Sequence, residues 1–136
     1  MLAIINIETP PKESLVDITG QVRDLVQKSG VNEGICVVFV PHTTAALTLN
    51  SIMDAATTHD IREELRRLVP TRVDFEHIYD TPADAAGHIK STLVGASLSL
   101  IVTGGELFLG SSQGIHFCEF DGPRSREVHL RIMEEK

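Results

Sequence analysis

The stretch SLSLIVTGGELFLGSSQGIHFCEFDGPRSREVHLRIM, residues 97–133, decides the fold class. It holds four short runs of strand-forming residues: Ser97–Thr103, Glu106–Leu109, Gly114–Phe120 and Glu127–Met133. Gly104-Gly105 and Asp121-Gly122 are turn dipeptides set between them. Breaks this short leave no room for crossover helices, so the four strands are expected to pair antiparallel in succession.

Upstream, the pattern alternates between strands and helices. In residues 2–8, Ala3, Ile5 and Ile7 oppose Ile4, Asn6 and Glu8, the period of a half-buried strand, and Pro10-Pro11 ends it. A strand over Leu15–Ile18 leads into a short helix with Thr19 as its cap and Val22, Leu25 and Val26 as its apolar stripe. Gly30 stands where that helix needs a left-handed residue. The β-branched run Ile35–Val40 predicts a central strand covered on both faces, stopped by Pro41 and followed by a strand over Ala45–Leu49. A longer helix is expected from about Asp54 to Val69, with Ile61, Leu65, Leu68 and Val69 on one face and Pro70 as its stop. Thr81-Pro82-Ala83-Asp84 opens a third helix: Thr81 caps, Pro82 takes the first helical position and Asp84 completes a capping box. That helix runs to about Val94, before Gly95. The fold class is therefore α+β, a strand-rich, β-sandwich-like core of mainly antiparallel strands with about three packed helices, in one domain over residues 1–136.

The 136 residues are 42% hydrophobic, yet they include no Trp and only 4% aromatics, so the core must be aliphatic. A formal charge of −7 argues against nucleic acid as a partner, because phosphate backbones are gripped by clustered bases. The one local group, Arg62, Arg66 and Arg67, is interleaved with Glu63 and Glu64 and reads as a solvated, ion-paired face. Cys36 and Cys118 each lie in an apolar run and read as buried thiols of a reducing compartment. No basic-then-apolar leader is seen, and no apolar run reaches the ~20 residues of a membrane span, so a cytoplasmic location without a membrane partner is expected.

Six histidines in a small acidic chain raise the question of a metal. His59 falls on the polar side of the long helix, His129 on the outer face of a strand, and His116 beside Cys118 and Phe120 as a half-buried residue. His42, His77 and His88 differ. His42 follows a buried strand and precedes two hydroxyls, Thr43 and Thr44, and strand ends present side chains to clefts. His77 and His88 flank the Thr81 cap, and Asp84 lies four residues before His88, on its helix face. A carboxylate beside a ligating imidazole fixes its tautomer. Three imidazoles with an open fourth position suit catalytic zinc, although spacing alone also fits isolated surface and capping histidines. A second candidate is the loop Gly110-Ser111-Ser112-Gln113-Gly114, whose hydroxyls and backbone N–H groups suit a phosphate, with Arg124 as a clamp. The same segments also fit ordinary turns.

Several segments, taken in order, resemble the YjbQ-like family. They are His42-Thr43-Thr44-Ala45-Ala46-Leu47-Thr48-Leu49-Asn50, the stretch from Glu64 to Pro70, Glu76-His77, and His88-Ile89-Lys90-Ser91 with Gly95. Gly105–Gly110 with Gln113-Gly114, and Glu119–Arg126, complete the set. The resemblance implies a small α+β domain on a β-sandwich, a homotrimer with sites near subunit boundaries, and convergence of His42, His77 and His88 on a metal- or phosphate-binding cleft. It implies secondary thiamine-phosphate synthase activity, joining a pyrimidine pyrophosphate to a thiazole phosphate with release of pyrophosphate. The chain departs from the family pattern at Ser51, at Ser112 and over residues 82–87; these changes bear on the substrate rather than the fold.

The expected function is thus an enzyme of phosphorylated small molecules. His42 and His88 are its catalytic residues, and His42, His77 and His88 hold a divalent metal, zinc or magnesium, or bind phosphate directly. Thr43, Thr44, Lys90, Ser111, Gln113, Asp121 and Arg124 bind substrate. Metal-dependent hydrolysis of a phosphate ester and a non-catalytic trimeric metabolite- or metal-binding module are the alternatives.

Overall fold

A computed structural model describes residues 2–136. Its elements run β1 (Leu2–Glu8), β2 (Lys12–Asp17), α1 (Thr19–Ser29), β3 (Gly34–Phe39), β4 (Ala45–Ser51), α2 (Ala55–Leu68), α3 (Pro82–Val94), β5 (Ser97–Thr103), β6 (Glu106–Phe108), β7 (Gln113–Gly122) and β8 (Ser125–Glu134). The strands form two antiparallel sheets, one in the order β1-β8-β3-β5-β6 and the other β2-β7-β4. The fold is α+β, as the alternation of strands and helices implies.

Of the last four strands, only β5 and β6 pair with each other. β7 lies in the small sheet, and β8 crosses to the large one, between β1 and β3. Asp121-Gly122 is not the turn, because pairing with β2 carries β7 through Gly122, and the crossing falls at Pro123-Arg124. The short connection marks a corner between sheets rather than a hairpin.

The main core fills the space between the sheets and is aliphatic, with Ile5, Ile7, Val38, Val40, Leu47, Ile115, Val128, Leu130 and Phe117 among its buried members. A second cluster lies on the other side of the small sheet, where Ala46, Cys118 and Phe120 meet Leu65 of α2 and Val94 of α3. The strand covered on both faces is therefore β7, buried continuously from Gly114 to Phe120. The run Ile35–Val40 is central in its sheet but covered on one face only, since Ile35 and Phe39 stay about half exposed. A continuous apolar run shows that both faces are apolar, not that one chain covers both.

The caps also differ in detail. Thr19 does not cap α1. Its hydroxyl donates to Asp17 Oδ1 at 2.5 Å and accepts the Ile115 N–H at 2.9 Å, so it ties the helix to β7. Gly30 adopts the left-handed conformation, φ 74°, that ends the helix. Asp54 caps α2 through the Ala56 N–H. Leu68, placed on the apolar face by its spacing, is exposed in the last turn. Thr81 caps α3 by accepting from the Asp84 N–H at 3.2 Å. Asp84 does not close a capping box, because its carboxylate is committed to two imidazoles.

Small residues bring α3 close to the sheet. Ala85, Ala86 and Gly87 are buried, and a Cβ at Gly87 would lie 3.3 Å from both the Phe120 carbonyl oxygen and Thr44 Cβ. His88, one residue on, therefore stands close above the β4–β7 end of the small sheet.

Candidate functional site

Four segments meet at that end of the sandwich. Residues 69–81, between α2 and α3, deliver His77 and Asp80. The first turns of α3 present Asp84 and His88, β7 ends in Asp121, and the corner beyond it carries Arg124.

Asp84 is the centre of the arrangement. Its Oδ2 is hydrogen-bonded to His77 Nε2 at 2.8 Å and His88 Nε2 at 3.2 Å, and the two rings meet edge to face, 5.0 Å between centroids. Burial acts to raise the Asp84 carboxyl, but hydrogen bonds from His77, Asp121 and His88 outweigh it and hold Asp84 below its usual range. Asp121 moves the other way: burial and the neighbouring Asp84 raise it against the pull of Arg124. Of this coupled pair, Asp84 ionises first. Arg124 donates from Nη2 to Asp121 Oδ2 at 2.6 Å and to Asp80 Oδ2 at 3.3 Å, and the same nitrogen is 3.9 Å from Asp84 Oδ1.

Among the described residues, two groups of three candidate ligands bring their donor atoms within 4.8 Å of one another: His77, Asp84 and His88, and Asp80, Asp84 and Asp121. The first offers two imidazole nitrogens and a carboxylate with open positions beyond, a donor set that fits zinc or a similar divalent cation.

His42 lies apart from that group. Its Nε2 accepts the Glu127 N–H at 2.9 Å, so the neutral ring carries its proton on Nδ1. Burial and the Arg126 guanidinium hold the imidazole below its usual value, partly offset by Glu127 and Glu119. The expected trio of imidazoles is thus a pair plus a carboxylate. His42 instead shares with His88 the lining of a cavity of ≈ 450 Å³, together with Thr43, Ser91 and Thr92. Ser91 Oγ donates to the Thr43 carbonyl at 2.6 Å and ties α3 to the β3–β4 connection.

Other expected site residues serve the scaffold. Lys90 is fully buried and ion-paired with Glu13, so it holds α3 to β2 and does not face a cleft. Thr44 is buried, and its hydroxyl accepts from Arg126 Nη2 at 2.8 Å. Ser111 and Gln113 lie at the start of β7, and Asp121 at its end, roughly 26 Å away at ~3.3 Å per residue. Within one chain that loop does not join the histidines. Gln113 closes it by accepting the Gly110 N–H at 2.8 Å. His116 is more buried than its strand position implied, at 2% exposure, and its Nε2 lies 3.2 Å from the Ser51 carbonyl oxygen.

Two features escaped the sequence reading. Asp80 precedes the Thr81 cap and lies outside the helix, so no helical spacing marked it as a partner of Arg124. The ion pair Glu119–Arg126 lies in strand segments where alternation predicts only in or out. Arg126 grips both oxygens of Glu119, whose Oε1 also accepts from Thr9 Oγ1 and whose Oε2 accepts the Asp121 N–H. This buried pair closes the end of the core beneath the site.

A family model described as UPF0047 protein YjbQ-like matches residues 3–135. The chain is 43% identical to a UPF0047 protein of Methanocaldococcus jannaschii, over 100% of this chain and 96% of the relative. It is 38% identical to UPF0047 protein YugU of Bacillus subtilis, over 98% and 99%. Among solved structures, a YbjQ-like protein of unknown function from Sulfolobus solfataricus superposes with a TM-score of 0.93 at 33% identity, covering 99% of this chain and 97% of that one. An uncharacterised conserved protein of the same family from Clostridium acetobutylicum gives 0.90 at 40% identity, over 96% and 99%.

Proposed function

The chain belongs to the UPF0047 family of YjbQ-like proteins, and we propose that it is an enzyme acting on a phosphorylated small molecule at the end of α3. The observation that carries this reading is the convergence of His77 and His88 on the buried Asp84, with Arg124 beside them.

His77, Asp84 and His88 would hold a divalent cation, zinc or magnesium, which when bound supplies Lewis-acid stabilisation of phosphate oxygens. The chain's own side chains do the rest. Before a cation binds, Asp84 holds both imidazoles in place through their Nε2 atoms, and those hydrogen bonds would be replaced by the cation. His42, with its proton on Nδ1, presents a neutral donor to a ligand in the cavity it shares with His88, and the Thr43, Ser91 and Thr92 hydroxyls add polar partners. Arg124 neutralises negative charge on a departing phosphate or pyrophosphate.

The specific reaction is the one the family resemblance implies: coupling a pyrimidine pyrophosphate to a thiazole phosphate with release of pyrophosphate. Incubating the protein with both substrates and each divalent cation in turn tests it. Pyrophosphate release that needs both substrates and is lost in His88→Ala and Asp84→Asn supports the synthase. Release of inorganic phosphate from a simple ester without the thiazole partner shifts the assignment to hydrolysis, the second reading. The exposure of the His77 and His88 side chains, 41% and 39%, favours that reading because it leaves water access. No turnover under any combination overturns the enzyme.

The outer face of the large sheet supports self-association, which the family resemblance implies is trimeric. Register places Met133, Ile35, Ile101 and Phe108 in one row across β8, β3, β5 and β6, each about half exposed. Ile4 and Phe39 flank His129 in a second such row. An apolar surface continuous over four strands marks an interface. His42 follows β3 at its margin, so a trimer built on this face would bring the cavity near a subunit boundary.

A further inference from the structure

Arg124 stands in an unusual relation to the carboxylates around it. One of its nitrogens, Nη2, lies within 4 Å of an oxygen from each of Asp80, Asp84 and Asp121. Its Nε also donates to the Asp121 carbonyl at 3.1 Å. The guanidinium thus faces a cluster of three carboxylates, one of which also belongs to the histidine group. Asp84 divides its oxygens: Oδ2 faces the imidazoles and Oδ1 faces Arg124.

The backbone and side chain of Arg124 are held differently. Its N–H donates to Thr9 Oγ1 at 3.0 Å, and its carbonyl accepts the Thr9 N–H at 2.9 Å. The side chain is 40% exposed and is retained by carboxylates and one carbonyl. It can therefore leave them without moving the chain. Its partner Asp121 also lines a cavity of ≈ 480 Å³, together with Lys12, Glu13, Arg66, Thr71 and Thr81. Glu13 is already paired with Lys90, so Lys12, Arg66 and the two hydroxyls are the groups there that suit an oxyanion.

We infer that Arg124 is an internal counter-ion that competes with a divalent cation for Asp84 and, once displaced, clamps a phosphate-like oxyanion in the cavity beside Asp121. This rests on the cation reading of His77, Asp84 and His88 and adds to it an order of binding. A cation arriving at Asp84 repels the guanidinium across a few ångströms, and an oxyanion drawing Arg124 away relieves that repulsion. Coupling between sites is reciprocal, so each ligand tightens the other by the same factor. Arg124 is a positioning residue for the cation and a binding residue for the anion.

Calorimetric titration of Co²⁺, with and without saturating inorganic phosphate, tests this on wild type, Arg124→Gln, Arg124→Lys and the double variant Lys12→Gln/Arg66→Gln. Without phosphate, Arg124→Gln is expected to bind Co²⁺ about tenfold more tightly than wild type, and Arg124→Lys, which keeps the charge, about as wild type does. Phosphate is expected to tighten Co²⁺ binding by wild type about fivefold or more. It has no such effect on Arg124→Gln, nor on the double variant, whose phosphate-free affinity stays at the wild-type value. Phosphate complexing Co²⁺ in solution acts in the opposite direction and cannot imitate the effect. An Arg124→Gln protein that binds Co²⁺ no more tightly than wild type, or a wild type indifferent to phosphate, overturns the inference and leaves the cation site standing. Absence of Co²⁺ binding in every protein overturns the cation reading itself.

Discussion

Arg126→Met removes one half of an ion pair that the fold closes off. Glu119 has no exposed surface, and Arg126 keeps 5% of its own. The guanidinium holds the two carboxylate oxygens at 2.8 and 2.5 Å and gives a further hydrogen bond to Thr44 Oγ1. Water cannot take its place at that depth, so Glu119 would remain a desolvated charge, at a cost of about 3–5 kcal/mol. A domain holds about 5–15 kcal/mol in total, so the loss is a large part of it. The pH dependence carries more information than the magnitude. In the intact protein burial raises the Glu119 carboxyl, but Arg126, Thr9 and the Asp121 N–H outweigh it and leave it below its ordinary 4.5. Its contribution to stability is therefore complete above that ordinary value and is lost as pH falls through the depressed one. Without Arg126, burial dominates and the folded value rises above the unfolded one. Acidification then relieves the variant while it weakens the parent, and their stabilities converge. Urea denaturation of both proteins, from neutral pH down toward the carboxylate range, measures this. A loss below about 1 kcal/mol at neutral pH, the level of a solvated surface pair, or parallel profiles in acid, would refute the reasoning. The double variant Glu119→Leu/Arg126→Met is expected to regain most of the lost stability, since two apolar groups leave no charge behind.

Further outcomes follow from the same geometry. His42→Ala is expected to abolish turnover while leaving cation affinity and thermal stability near wild type, because among the described residues His42 bonds to the exposed Glu127 amide and lies outside the ligand group; paired titrations and melts check it. Because the His42 imidazole is held below its usual value, it stays neutral through ordinary pH, and any activity that needs the neutral ring should fall only as pH drops through that lowered value. The Cys36 and Cys118 thiols are pushed by burial to about 11 and about 12, so neither should react with a thiol reagent at neutral pH until the protein is unfolded. Ile101→Lys, on the open face of the large sheet, should leave the circular dichroism unchanged and convert an oligomer to monomer by sedimentation.

The legible parts of this chain were those written in local chemistry. Gly30, Asp54, Thr81 and Gly95 each mark a helix end that the structure places there, because caps and left-handed residues act within a few positions. The pairing of β7 and β8 was not legible, since short connections look alike whether a chain turns back or crosses to a second sheet. Nor was the open face of β3, because an apolar run records what a strand can be covered by and not whether one chain covers it. The site was half legible. The spacing of Asp84 and His88 on one helix face carried through to a hydrogen bond, and His77 joined them across the cap. Lys90 misled because, by type, a lysine beside a candidate site resembles a phosphate ligand. Only the fold reveals Glu13, 77 residues away, as its partner. The Ser111–Gln113 loop suits an anion by its chemistry, but within one chain the length of β7 holds it away from the histidines.

The central claim is that His77, Asp84 and His88 form a cation site, and elemental analysis of untagged protein after loading with a divalent cation and removal of the excess tests it most directly. The account predicts about one ion per chain in wild type, none above background in Asp84→Asn and His88→Ala, and full retention in His42→Ala. Wild-type protein that retains no ion after loading, or an Asp84→Asn variant that retains as much as wild type, would contradict it.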